Sequence, residues 1–184
     1  MRIIGIDPGS VVTGAGVIEF SNGVLKVLNF DALKMSSKTP MPKRLKSVYD
    51  FCQSKIKLYK PDYLALETAF FGKNVQSTLK LGQVRGSVIV ASLNSGVDVF
   101  EYSPREIKKS VTGNGSSSKQ TVQTYIKNIL SIKVGNILSD SSDALAIALC
   151  HYYSVDSNIY GIKSKTKTNW KEFLEKNPHK ILRR

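Results

Sequence analysis

The stretch MRIIGIDPGSVVTGAG, residues 1–16, carries one carboxylate, Asp7, from the end of an apolar run into a glycine-rich turn. The apolar run, residues 3–6, is typical of a central strand that is covered on both faces. Because side chains in a strand alternate, Asp7 should point to the same side as Ile3 and Gly5. An Asp in a hairpin turn is also common. The stretch alone therefore leaves open whether Asp7 serves a turn or a site.

The composition indicates a single basic domain with a polyanionic partner. A chain of 184 residues is long enough for one hydrophobic core. Its 27 Lys and Arg against 14 Asp and Glu give a net charge of +13, which favours nucleic acid over an anionic membrane surface as the partner. Residues 161–184 hold eight Lys or Arg and two Glu. We therefore divide the chain into a domain over residues 1–155 and a basic C-terminal tail over residues 156–184.

Cysteine usage and hydropathy predict a cytoplasmic protein. Cys52 and Cys150 are isolated from each other in the sequence, so we expect two core residues in a reducing compartment rather than a disulfide or a zinc site. No apolar run approaches membrane-spanning length, and the N-terminus has no signal-peptide pattern. We expect no membrane partner.

The pattern of the rest of the chain predicts an α/β fold. Strand character is found in a meander within residues 2–34 and in two short apolar runs, 63–67 and 97–102. Helical spacing of apolar residues marks the segments 43–59, 75–94, 104–111, 119–130 and 144–153. A strand, a crossover helix and a further strand in that order imply parallel pairing with a right-handed connection. We therefore predict a five-stranded mixed sheet, an antiparallel meander followed by two parallel strands, flanked by helices.

One apolar stripe of the helix predicted over residues 75–94 contains two glycines. The stripe consists of Val75, Leu79, Gly82, Gly86, Ile89 and Leu93. Glycine allows the backbones of two elements to approach closely. We therefore expect this stripe to pack against a strand or another helix.

Three more acids are expected near Asp7. Glu67 ends the fourth strand as Asp7 ends the first, and ligands of open α/β sheets bind beyond the carboxyl ends of such strands. Asp140 and Asp143 are three residues apart at the start of an apolar helix, where they share a face. Either acid alone would be explained by ordinary helix capping. The apolar residues after Asp143 favour a helix start that lies against the sheet.

Four carboxylates in one site require a counter-charge. Two of them about 4 Å apart repel by roughly 4 kcal/mol at an effective dielectric of 20. Oxygen ligands without a His or Cys cluster favour Mg²⁺ or Mn²⁺ over zinc. Two such ions can activate a water and stabilise the leaving oxygen in phosphodiester hydrolysis.

Three motifs, IGIDPGSVVTGAGVI, LALETAFFGKNVQSTLKLGQVRG and DSSDALAIALCHYY, resemble those of the RuvC-type Holliday junction resolvases, which have a ribonuclease H-like fold. The resemblance covers residues 2–153. It implies a Mg²⁺-dependent crossover junction endodeoxyribonuclease that nicks two opposed strands of a four-way DNA junction symmetrically, in recombination and repair. It also implies a homodimer with two Mg²⁺ ions per subunit, for which Mn²⁺ can substitute. A branch-migration motor complex is a further candidate partner.

The resemblance assigns roles to individual residues. The four metal-binding acids of the family fall on Asp7, Glu67, Asp140 and Asp143. The family's lysines on the catalytic side fall on Lys108 and Lys119, and Lys119 is the predicted catalytic lysine. We favour Phe70 over Phe71 as the aromatic that stacks on bases. The predicted DNA-binding residues are Phe70, Lys73, Lys108 and Lys119.

Two other functions are compatible with parts of the sequence. An actin-like or sugar-kinase ATPase also has an Asp in a hairpin, but that fold needs two such domains. A non-catalytic junction-binding or RNA-processing relative of the same fold would lack one or more of the four acids, and all four are present. We expect His151 to be a packed side chain or a favourable charge at a helix end rather than a metal ligand.

Overall fold

The computed structural model describes residues 1–68, 74–132 and 139–159, without the side chains of residues 139–140 and 156–159. The strands are β1 (Arg2–Asp7), β2 (Val12–Ser21), β3 (Val24–Lys34), β4 (Tyr63–Glu67) and β5 (Asp98–Tyr102). The helices are α1 (Met41–Tyr59), α2 (Val75–Leu93), α3 (Pro104–Thr112), α4 (Lys119–Ile129) and α5 (Ser139–Ile159). By its contacts the chain divides into two compact units, residues 1–153 and 154–184, and the first contains the whole sheet. The predicted domain boundary after residue 155 stays a prediction.

The strands form one mixed sheet in the order β3-β2-β1-β4-β5. β1, β2 and β3 pair antiparallel, whereas β4 runs parallel to both β1 and β5. This confirms the predicted antiparallel meander followed by two parallel strands. β1 lies at the centre of the sheet, with Ile3 in the core on one face and Ile4 and Ile6 in the core on the other. A strand covered on both sides is therefore what the apolar run forms.

Helices cover both faces of the sheet. The core that contains Ile4 and Ile6 is closed by α1 and α2. The core that contains Ile3 is closed by α3, α4 and α5. Asp7 follows Ile3 by four residues and therefore points to the face covered by α3, α4 and α5.

The start of α5 lies directly on the middle of the sheet. A Cβ atom on Gly5 would lie 2.1 Å from the carbonyl oxygen of Ala144, and one on Gly16 would lie 2.8 Å from the backbone nitrogen of Leu145. Glycine at both positions therefore allows the helix backbone to touch the strands. Since Asp7 lies two residues after Gly5, and Asp143 just before Ala144, this contact brings the two acids into the same region.

Within the described residues, the expectation for the stripe on α2 is wrong. The side chains of Val75, Leu79 and Leu93 are 69%, 59% and 57% exposed, and a Cβ atom on Gly82 or Gly86 would meet no atom of this part of the chain within 4 Å. The helix instead buries the opposite stripe, which contains Val84, Val88, Ala91 and Ser92. Both sides of α2 carry apolar residues, so periodicity did not reveal which side packs on the sheet.

Two expectations from composition can be compared with the structure. Cys52 and Cys150 are both buried free thiols, as predicted for core residues. Among the residues that the structure describes, no helix combines the length and the apolar character needed to cross a bilayer.

Candidate active site

Asp7 and Glu67 end two neighbouring parallel strands. The register pairs Ile6 of β1 with Leu66 of β4, so the next residue of each strand is an acid, and both acids lie on the face covered by α5. This is the arrangement that the sequence predicted for the first two carboxylates.

The turn after Asp7 is fixed by hydrogen bonds from two directions. The hydroxyl of Thr13, which is fully buried, donates to the carbonyl oxygen of Gly9 at 2.9 Å. From α1, the guanidinium of Arg44 donates to the carbonyl oxygen of Ser10 at 2.6 Å. Because each bond joins the turn to a regular element, the backbone that carries Asp7 is held in one conformation.

A cleft with a volume of about 310 Å³ lies between the end of β4 and the helices α3, α4 and α5. Its charged lining consists of Glu67, Lys108, Lys119 and Asp143, and its apolar lining includes Val122 and Ile147. Three predicted site residues from three different helices thus face Glu67. The chain segments that meet here are separated by up to 76 positions, from Glu67 to Asp143.

The cleft holds two acids against two cations. Lys119 Nζ lies 2.6 Å from Asp143 Oδ2, and this pair is partly exposed to solvent. Burial raises the pKa of the Glu67 carboxyl above its usual range, and the negative charge of Asp143 raises it further, whereas Lys108 and Lys119 act in the opposite direction. The raised pKa means that the two lysines do not fully compensate for the environment of Glu67.

This donor set suits a divalent cation. Glu67 and Asp143 offer carboxylate oxygens, the ligands that Mg²⁺, Mn²⁺ and Ca²⁺ prefer, and an added positive charge would lower the pKa of Glu67. In the described part of the chain, no group of three or more His, Cys, Asp or Glu lies close enough to hold a metal ion. The side chain of Asp140 is outside that part.

Several predicted site residues cannot be compared with the structure. Phe70, Phe71 and Lys73 lie outside the described residues, and Asp140 is described only as part of the backbone of α5. The choice between Phe70 and Phe71, the contribution of Lys73 and the position of the Asp140 carboxylate therefore stay predictions.

Two structural groups near the site did not emerge from the sequence as functional. Arg44 is almost fully buried and holds the turn after Asp7. Its position four residues before Val48, on the buried stripe of α1, is a signal that could have identified it.

The other group is His151, which is packed among aromatic rings and accepts or donates a 2.7 Å hydrogen bond with the hydroxyl of Tyr102. Its packing confirms one of the two expectations for this residue.

Two solved structures share this architecture. The chain superposes on the structure of Thermus thermophilus RuvC with a TM-score of 0.78 and 31% identity, covering 86% of this chain and 97% of that one. It superposes on Thermus thermophilus RuvC in complex with Holliday junction substrate with a TM-score of 0.77 and 28% identity, covering 85% and 96% of the two chains. The mixed sheet carries acids at the carboxyl ends of β1 and β4. Together with these matches, it defines a nuclease with a ribonuclease H-like fold.

The family follows from the sequence. Residues 3–151 match the family described as crossover junction endodeoxyribonuclease RuvC. The crossover junction endodeoxyribonuclease RuvC of Chloroherpeton thalassium is 44% identical over 186 residues, which cover 100% of both chains. The chain belongs to the RuvC family of crossover junction endodeoxyribonucleases. It is a hydrolytic nuclease that resolves Holliday junctions, and the non-catalytic alternative is not favoured.

Proposed function

We propose that this chain hydrolyses phosphodiesters of a four-way DNA junction at the cleft, with Asp7, Glu67, Asp140 and Asp143 as ligands of two Mg²⁺ ions. Bound Mg²⁺ would supply an activated water and stabilise the leaving oxygen, and Mn²⁺ could take its place. The observation that carries the proposal is the cleft in which Glu67 and Asp143 come together from distant parts of the chain.

The charges of the cleft support this assignment. Burial and Asp143 together raise the pKa of Glu67, as expected for a pair of carboxylates that lack part of their counter-charge. Asp7 ends the neighbouring strand on the same face, and Asp140 precedes Asp143 by less than one helical turn in α5. Four carboxylates from three elements would then surround the ions.

Lys108 and Lys119 are assigned to the DNA phosphates. Both line the cleft, Lys108 from α3 and Lys119 from the first turn of α4. A cation in the first turn of a helix opposes the helix dipole, so Lys119 does not serve the stability of α4. Its contact with Asp143 supports a role in orienting that carboxylate. Its positive charge would also stabilise negative charge that develops on the reacting phosphate. Phe70 would stack on an unpaired base and Lys73 would contact the backbone.

We further propose that the chain acts as a homodimer, so that two opposed strands of the junction are cut symmetrically. The exposed stripe of α2, with Val75, Leu79 and Leu93 around Gly82 and Gly86, supports a second copy as its partner. Two glycines on an apolar face let helices approach closely, and a two-fold axis would place the stripe of one copy against the same stripe of the other. The chain would act in the cytoplasm, where a branch-migration motor is a candidate partner.

The function is tested with a synthetic four-way junction and a linear duplex of equal length, each with and without Mg²⁺. We expect paired nicks in the junction only, and only with Mg²⁺. Asp7→Asn should bind the junction as the parent chain does and fail to cut it, because it removes one ligand charge without removing DNA contacts. If Asp7→Asn cuts at the parental rate, the assigned metal site is wrong.

The dimer is tested by light scattering on Leu79→Glu. This change places a charge on the exposed stripe of α2, so we expect the mass to fall from that of a dimer to that of a 20.3 kDa chain. The matched control is Leu58→Glu, which changes a leucine of α1 that is 68% exposed. A dimer that survives Leu79→Glu, or a parent chain that is monomeric, would contradict the interface.

A further inference from the structure

α3 borders a second cavity beside the catalytic cleft. The cleft is lined by Pro104, Ile107 and Lys108 of this helix. The second cavity, with a volume of about 610 Å³, is lined by Arg105 and Lys109 of the same helix and by residues 113–115 of the loop that follows. Two different faces of one nine-residue helix thus line two neighbouring cavities.

The second cavity carries two exposed cations that α3 does not require. Arg105 is the second residue of the helix, where a positive charge opposes the dipole of the helix. Lys109 lies in the last turn, where a cation is favourable, yet its side chain also lines the cavity. Together they offer a forked guanidinium and an ammonium group, the two donors that bind phosphate oxygens in proteins.

The one acid of this lining, Glu106, is hydrogen-bonded within the helix cap. Glu106 Oε2 accepts hydrogen bonds from the backbone nitrogen of Ser103 at 2.8 Å and from its hydroxyl at 2.7 Å. These bonds complete a capping box with the Ser103 hydroxyl, which accepts from the backbone nitrogen of Glu106. The carboxylate is therefore engaged by the N-terminus of α3 and does not pair with Arg105 or Lys109 among the ion pairs of the described residues.

The loop wall of the second cavity is preformed. The Thr112 hydroxyl contacts Ser117 Oγ at 2.8 Å and accepts from the backbone nitrogen of Asn114 at 3.2 Å. A Cβ atom on Gly115 would lie 2.6 Å from Arg105 Cγ, so glycine lets the loop pack directly against the Arg105 stem. The stem is thereby fixed while the side chain remains exposed.

We propose that the second cavity, lined by Arg105, Lys109 and residues 113–115, binds a backbone phosphate of a junction arm, distinct from the phosphate that is cleaved in the cleft. A phosphodiester fits because it is an anion with two free oxygens, suited to one guanidinium and one ammonium donor. The inference rests on the proposed function for the choice of DNA as ligand. It adds an interaction that fixes how the arm leaves the cleft.

The test is the salt dependence of DNA binding by the full chain. Binding of a fluorescein-labelled junction is followed by anisotropy in EDTA, which prevents cleavage, between about 50 and 200 mM KCl. Losing the contact with one phosphate should reduce the steepness of log K against log salt by about 0.9, so the ratio of the parent chain's affinity to the variant's falls about threefold over this range. We expect Arg105→Gln/Lys109→Gln to reduce the steepness by about 0.9, which corresponds to the one phosphate of this cavity.

A matched control comes from the other end of the sheet. Lys57 and Lys60 also line one cavity, of about 510 Å³, between the end of α1 and the residues before β5. Lys57→Gln/Lys60→Gln removes the same charge and should leave the slope unchanged. The charge-preserving Arg105→Lys should keep the slope of the parent chain. Lys109→Gln alone, which leaves the Arg105–Gly115 packing intact, should reduce the steepness by less than the double variant does, because Arg105 still contacts the phosphate.

The outcomes separate this inference from the proposed function. Equal slopes for the two double variants would overturn the phosphate site. A parent chain that does not prefer the junction over the duplex would instead contradict the proposed function. In that case the slopes measured on the linear duplex still decide the phosphate site, because its ligand is a phosphate of a duplex arm.

Discussion

The two halves of α5 treat ionisable side chains in opposite ways. Near its start, Asp143 lies in the cleft beside Lys119 and within electrostatic reach of Glu67, open to solvent. Two turns further along, His151 is only 1% exposed and has Phe100 at 4.4 Å between ring centroids. One helix thus carries an acid that pairs with a cation at the cleft and a titratable ring whose charge is suppressed by burial.

The difference teaches what each half of the helix does. Burial lowers the pKa of His151 to about 4, so the ring is neutral at pH 7 and can pack as a core residue with a hydrogen bond to Tyr102. Asp143 instead lies against the Lys119 ammonium group and is partly exposed to solvent. The second half anchors α5 to β5, and the first half presents the carboxylate to the cleft.

The largest effect is expected at Asp143. Asp143→Asn preserves the size of the side chain and removes the charge, so we expect the single-turnover cleavage rate to fall about 100- to 1,000-fold, as for loss of one preorganised electrostatic group. The melting temperature should stay the same or rise, because a like charge near Glu67 is removed.

The control for this change is Asp50→Asn. Asp50 also pairs with a lysine, Lys46, at 2.6 Å, but on α1 at the other face of the sheet. Its rate should equal that of the parent chain. If both variants cut at the parental rate, the first half of α5 has no catalytic carboxylate at Asp143.

Features set by neighbouring residues could be predicted from the sequence. The capping box of Ser103 and Glu106 is a feature of this kind, because both partners lie within one turn. The apolar run at residues 3–6 forms the central strand, because burial on both faces leaves a direct signature. Glu67 and Asp143 share a cleft. Strand order predicts the position of Glu67 at the sheet edge, and the apolar start of α5, which lies against the sheet, brings Asp143 to it.

Features that depend on distant contacts could not be predicted. The stripe of α2 around Gly82 is apolar in the sequence, but periodicity does not tell whether a face meets the sheet or solvent. His151 is neutral because Tyr63, Phe100 and Tyr102 surround it, and these lie on two strands far away in the chain. Arg44 reaches a turn 34 positions earlier.

The second prediction concerns the neutral half of α5 and uses pH. An exposed histidine has a pKa of about 6.5, whereas burial lowers that of His151 to about 4. The unfolded chain therefore binds this proton at higher pH than the folded chain. The contribution of His151 to the free energy of unfolding is complete above about pH 6.5 and is lost as the pH falls towards 4. At about 1.36 kcal/mol per pH unit, the loss reaches about 3 kcal/mol.

Urea unfolding between about pH 7.5 and 4.5 measures this loss. His151→Gln should show a shallower fall in the free energy of unfolding, because the group that titrates is gone, while carboxylates contribute equally to both chains. An unchanged fall in His151→Gln would mean that this ring is not held neutral by burial.

The smallest effect is expected for Lys119, the cation that pairs with Asp143 in the cleft. Lys119 and Asp143 are 52% and 24% exposed, and an ion pair in such contact with solvent stabilises a fold by at most about 1 kcal/mol. Lys119→Ala should therefore leave the melting temperature close to that of the parent chain. Its cleavage rate should fall about 10- to 100-fold, as for loss of a group that orients a metal ligand.

Lys46→Ala is the matched variant, since the Lys46–Asp50 pair on α1 has the same 2.6 Å separation and is more exposed. Both variants lose one exposed ion pair and one positive charge, so a general effect of charge on DNA binding or folding would appear in both. A role in the cleft predicts a slower single-turnover rate for Lys119→Ala alone, measured at saturating junction. Equal rates with a lowered melting temperature for Lys119→Ala would instead make this pair a structural interaction.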